Sequence, residues 1–169
     1  ALIGSRAMNH WVNDEDQRAP NDLDIVGTYD EIEAFVKHIK RTEKIKAQYP
    51  FDSGKKVLIK TEKRIIEAEV AWEKSNSLWL QNIIEKDGVE ENVDGVKMVI
   101  APLNLLYTLK MSHRYLKDSP HFLKTMKDIQ TMRKYNAVIP QEYQDFYKER
   151  QAIQYNYKLP KLNQSKDTF

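Results

Sequence analysis

Two short segments of this chain alternate carboxylates with hydrocarbon. They are Asp22-Leu23-Asp24-Ile25 and Ile66-Glu67-Ala68-Glu69-Val70. Side chains of a strand point to opposite faces in turn, so each segment sets its acids on one face and its apolar residues on the other. A chain with two such strands is committed to a sheet that packs one face on a core and leaves acidic groups gathered on the other.

The rest of the pattern supplies helices to cover that sheet. Residues 2–5 predict a short strand running into a Gly-Ser turn, and residues 6–21 a polar loop with at most a short helix. The strand at 23–26 stops at Gly27. Thr28 or Asp30 then caps a helix over roughly 30–47, with Ile32, Phe35, Val36 and Ile39 on one face. Phe51-Asp52-Ser53-Gly54 reads as a turn, and 56–61 with 64–72 as a β-hairpin. A helix over 75–86 is broken by Lys86-Asp87-Gly88, and Val96–Ile100 forms a further strand. Pro102 stands at the favoured first position of a helix. Residues 103–135 are helical apart from a break near Asp118-Ser119-Pro120, and a last helix covers about 140–155. The fold class is therefore α/β of the α+β kind. A mixed α/β core covers 1–100, a helical part 101–157 and a polar tail 158–169.

Composition narrows the function. The 169 residues carry a formal net charge of +2 and are 41% hydrophobic and 31% charged. Near-balance of charge argues against a dedicated nucleic-acid arm. The absence of cysteine excludes disulfides and thiolate-ligated zinc. No apolar run approaches a membrane span and no signal-peptide pattern opens the sequence, so the expected location is cytoplasmic, away from membrane. The apolar opening Ala1-Leu2-Ile3 is expected either of a chain that has lost only an initiator Met or of one that starts inside a longer chain, and the final Phe169 after a polar tail is expected of a longer chain cut short.

The chemistry centres on Asp22 and Asp24. Two hard anionic oxygen donors side by side suit Mg²⁺ or Mn²⁺. Gly4-Ser5, at the end of the first strand, offers a backbone that a phosphate can approach closely together with a hydroxyl. Arg6 adds a cation for a charge-assisted contact. Glu67 and Glu69 share a face and are both candidates for a third acid, as ligand or general base.

Ile3-Gly4-Ser5-Arg6-Ala7 followed by Asn21-Asp22-Leu23-Asp24-Ile25 resembles the signature of the DNA polymerase beta-type nucleotidyltransferase superfamily. That superfamily pairs a Gly-Ser turn with an Asp-x-Asp strand and takes a third carboxylate from a later strand. The resemblance covers about the first 72 residues. It implies a nucleotidyltransferase-like mixed sheet flanked by helices. Ser5 would touch the triphosphate, Asp22 and Asp24 would hold metal, and Glu67 or Glu69, with Glu69 as a metal ligand, would fill the third acidic position. The spacer from Arg6 to Asn21 is longer than the usual one, and glutamate stands where aspartate is commoner.

A second stretch, Ala101-Pro102-Leu103, Leu106, Lys110, His121-Phe122-Leu123-Lys124 and Asp128-Ile129, is similar to the helical region of antitoxin-like and antibiotic-modifying nucleotidyltransferases. There Lys110 and Lys124 would neutralise phosphate charge and Asp128 would orient Lys124. His113 and His121 do not have the spacing of a helical metal pair. Tyr143, Tyr147, Tyr155 and Tyr157 lie among basic residues and are expected to pack a helix rather than stack on nucleic acid.

The expected activity is transfer of a nucleoside monophosphate from a nucleoside triphosphate, with ATP the expected nucleotide. The acceptor is a protein, a small molecule, RNA or DNA. A binding module of the same fold without turnover is the alternative. A metal-dependent nuclease using Lys60 or Lys63 is the third.

Overall fold

A computed structural model describes residues 1–20, 22–51, 55–114 and 116–156. The Phe51–Gly54 turn expected from sequence lies largely outside them, as do Tyr157 and the tail.

Contacts divide the chain into two units, Ala1–Pro102 and a second from Leu103 onward. The first unit is built on a seven-stranded mixed sheet of order β3-β4-β5-β2-β1-β7-β6. Its strands are β1 (Leu2–Ile3), β2 (Asp22–Gly27), β3 (Ile45–Phe51), β4 (Lys56–Thr61), β5 (Ile65–Val70), β6 (Val89–Val93) and β7 (Val96–Ile100). Three helices, α1 (Gly4–Trp11), α2 (Tyr29–Thr42) and α3 (Asn76–Asp87), complete it.

The central strand is β2. It runs parallel to β5 with Asp24 opposite Glu67 and Val26 opposite Glu69, and antiparallel to β1 with Ile3 opposite Asp24. Leu23, Ile25, Ile66 and Ala68 are buried. They form the apolar face that the alternation predicts. Helix α2 buries Ile32, Phe35, Val36 and Ile39, the expected stripe. It starts on a capping box, in which the Thr28 hydroxyl accepts from Glu31 N and the Glu31 carboxylate accepts from Thr28 N.

Three elements differ from the sequence reading. Gly4 and Ser5 open a full helix rather than a turn, because Gly4 takes φ +72° and bends the chain sharply from strand to helix. Helix α2 ends at Thr42, and residues 45–51 form an edge strand. Pro50 sits where an edge strand tolerates a missing donor. Strand β6 was hidden because Glu90, Glu91 and Asn92 are all exposed, so it shows no alternation. It pairs with β7 through a two-residue loop, Asp94-Gly95, whose residues have φ +54° and +82°. Asp-Gly is the sequence typical of such a tight hairpin.

The second unit comprises α4 (Leu103–Ser112), α5 (Phe122–Lys134) and α6 (Gln144–Asn156), with α5 and α6 both packed against α4. Leu105, Leu106, Ile129, Met132, Tyr143 and Phe146 are buried. Among the described residues, no helix is long and apolar enough to cross a membrane.

Candidate nucleotide site

Asp22, Asp24 and Glu67 share one face of the sheet, because they stand at i and i+2 on β2 and at the register position opposite Asp24 on β5. Asp24 also lies against Gly4. A Cβ built on Gly4 would meet Asp24 Oδ2 at 2.0 Å and its Cγ at 2.8 Å. The glycine thus serves two purposes at this position, a left-handed backbone and room for a carboxylate.

The two glutamates part company. Glu69 lies opposite Val26, two residues further along β5, and its Oε1 accepts a 2.6 Å hydrogen bond from Ser77 Oγ at the start of α3. Its cross-strand partner on β4 is Lys56. Glu67 has Asp24 on one side and Leu58 on the other. Of the two acids that the sequence left open, Glu67 is the one beside the aspartates. Among the described residues, no three of His, Asp and Glu are gathered closely enough to hold a metal as a group.

Ser5 is buried, and its hydroxyl accepts from the Arg18 guanidinium. Arg18 sits in the long spacer. Asn9 of α1 ties that loop down, with Nδ2 donating to Arg18 O at 2.7 Å and Oδ1 accepting from Arg18 N at 3.3 Å. No periodicity marks Arg18 in the sequence, so reading by pattern misses it.

Arg6 does not point freely at a ligand. Its Nη1 and Nη2 each donate at 2.7 Å to the two oxygens of Asp94, a bidentate fork. Arg64 also donates to Asp94 through Nη1, and to Glu43 through Nη2 at 2.7 Å. Glu43 is buried and accepts a further bond from Thr61 Oγ1 at 2.7 Å. The bond from Arg6 is the main cause that holds the Asp94 carboxyl down at about 2, with Arg64 adding to it against the opposing effect of burial. Burial works against the charge on Arg64, but the bonds to Asp94 and Glu43 outweigh it and raise its pKa.

Arg6, Pro20, Asp22, Leu23, Lys63 and Arg64 line a cavity of about 410 Å³. Asp22 thus opens onto a space bounded by three cations. Lys63 was singled out in the sequence only for a nuclease reading, and Arg64 and Asp94 not at all. The Asp-Gly hairpin signal at 94–95 is the one clue that the sequence held for Asp94.

In the helical unit, Asp128 is 1% exposed and its Oδ2 lies 3.0 Å from Lys110 Nζ. The partner expected for Asp128 was Lys124. Lys124 is exposed one helical turn before it on α5, and the ion pair reaches instead across to α4.

Among solved structures, the chain is similar to an antigenic nucleotidyltransferase-like protein from Paracoccidioides brasiliensis. The identity is 16% and the TM-score 0.51, over 92% of this chain and 79% of that one. The likeness establishes a nucleotidyltransferase-like fold. No curated protein matches the chain by sequence. A family model does match, over residues 1–166, and on that match the chain belongs to the family described as a domain of unknown function, DUF7277.

Proposed function

We propose that this domain is a metal-dependent nucleotidyltransferase that moves a nucleoside monophosphate from a triphosphate, ATP first among them, to an acceptor on a protein, a small molecule or a nucleic acid. The observation that carries this reading is the packing of Asp24 against a left-handed Gly4, with Asp22 and Glu67 on the same face.

The donor set suits Mg²⁺ or Mn²⁺. Magnesium is commonly held by one or two carboxylates, with substrate phosphates and water completing its shell, so Asp22 and Asp24 suffice without a third protein ligand. Bound there, the ion would neutralise charge on the phosphates during transfer. In the reaction, an acceptor oxygen bonds to the α-phosphorus as the bond to pyrophosphate breaks. Glu67, beside Asp24, takes the acceptor's proton. The first turn of α1, from Ser5 to Arg6, and the Arg18 loop lie against the phosphates.

The test is incubation with α-labelled triphosphates, Mg²⁺ or Mn²⁺, and a cell extract. Label should pass to an acceptor with the wild type and not with Asp24→Asn, and its chemical class names the acceptor. A second reading, a binding module of the same fold, draws on the engagement of Glu69 by Ser77 and of Ser5 by Arg18. Nucleotide binding without transfer to any acceptor would decide for it.

A further inference from the structure

The bridge from Arg6 to Asp94 to Arg64 is the least economical feature of the first unit. Two arginines converge on one carboxylate carried on the tip of a hairpin. Both arginines also line the cavity that Asp22 and Lys63 share. Arg64 has a donor to spare, since its buried Nε has no acceptor among the described residues. A fork of two guanidiniums with a nearby ammonium is the arrangement that recognises a phosphate group, which offers three acceptor oxygens to the two of a carboxylate.

We infer that Arg6, Lys63 and Arg64 form a phosphate-binding subsite, and that Asp94 occupies its arginines as an intramolecular stand-in that an incoming phosphate displaces. The hairpin geometry favours this role. Asp94 belongs to a two-residue loop and is held from outside that loop by Arg6, by Arg64 and by a 3.4 Å contact of its carbonyl with His38 Nε2. Releasing the side chain leaves the Val93–Val96 pair intact. Only the ligand's identity as part of a nucleotide rests on the nucleotidyltransferase reading; the subsite does not.

Charge decides how the subsite responds. With Asp94 bound, the two arginines share one anion, and Arg64 shares Glu43 as well. A phosphate must exchange for Asp94, which lowers its apparent affinity. Removing the charge at Asp94 removes the competitor while the three cations stay in place.

The experiment titrates inorganic tripolyphosphate, without metal, into the wild type, Asp94→Asn and Lys63→Gln, with the fold checked by circular dichroism. Asp94→Asn should bind about tenfold more tightly than the wild type, as expected for one charge-assisted contact released. Lys63→Gln, an exposed position that leaves the arginine bridge untouched, should weaken binding by about fivefold. Parallel titrations with inorganic phosphate, ATP and adenosine separate the sources. Adenosine should not compete, and ATP should compete whether the subsite takes its tail or a lone phosphate, the latter marked by equal affinity for inorganic phosphate. Equal tripolyphosphate affinity in all three proteins overturns the subsite. Tripolyphosphate binding with this pattern, but no nucleotidyl transfer, keeps the subsite and sinks only the transferase reading.

Discussion

Asp24 occupies the space that a side chain at residue 4 would need: the missing Cβ of Gly4 would stand 2.0 Å from Asp24 Oδ2. Gly4→Ala therefore meets two obstacles, a φ of +72° and a carboxylate in the way. The left-handed backbone alone costs an alanine about 1–2 kcal/mol, and displacing Asp24 adds to it. Denaturant unfolding should show a loss of about 2 kcal/mol or more. If the proposed site takes Mg²⁺, the ion should raise the Tm of the wild type and not that of Gly4→Ala, because Asp24 is displaced there. A variant as stable as the wild type would mean that residue 4 does not hold this conformation in solution.

Glu67 and Glu69 should separate cleanly. Glu67→Gln removes the acid beside Asp24 and should lower transfer by about 100-fold or more with little change in stability. Glu69→Gln keeps the acceptor for Ser77 but removes the charge facing Lys56, so its effect falls on stability, by less than about 1 kcal/mol. Activity that falls equally in both would return the third acid to the pair as a whole.

These contrasts mark how far the sequence could be read. The strand Asp22–Gly27 and its partner Ile65–Val70 were legible because Leu23, Ile25, Ile66 and Ala68 are buried while Asp22, Asp24 and Glu67 are only half-buried, and alternation records that difference. Helix α2 was legible in its apolar stripe, while the choice of Thr28 over Asp30 as its cap came from the structure. Strand β6 was not, since Glu90, Glu91 and Asn92 all face solvent. Residues 45–51 were masked by the helix before them. Gly4, Ser5, Asp22 and Asp24 could be singled out by local pattern. Which glutamate stands beside Asp24 depends on the register of β5 on β2, a long-range fact. The bridge from Arg6 to Asp94 spans 88 positions, and no local signal encodes such a pair.

Lys110 and Asp128 test whether that lysine has a structural duty beyond any ligand. Asp128 is 1% exposed, and Lys110 is its ion-pair partner. Removing one member of a buried pair leaves the other's charge poorly compensated. Lys110→Met should destabilise the protein by up to about 3 kcal/mol, and adding Asp128→Asn should recover part of the loss. A double variant no more stable than Lys110→Met would show that the pair is not coupled, as a double-mutant cycle measures directly.

The last prediction concerns pH. The Asp94 carboxyl is lowered from 3.8 to about 2, chiefly by its bond to Arg6. A carboxyl whose pKa is lower in the folded state than in the unfolded chain stabilises the fold above its unfolded value, and that contribution is lost as pH falls through the folded one. The stabilisation from Asp94 should therefore be nearly complete above about pH 4, fall steadily between pH 4 and pH 2, and be lost as pH drops below about 2. The group is partly exposed, so screening limits the contribution to about 1 kcal/mol. Denaturation midpoints of the wild type and Asp94→Asn should differ at pH 6, converge towards pH 2, and lie closer together at pH 6 in 1 M salt. A difference that persists unchanged to pH 2 would show that Asp94 acts through the shape of the hairpin. In that case its carboxylate would not be the anion that Arg6 and Arg64 hold in place of a phosphate.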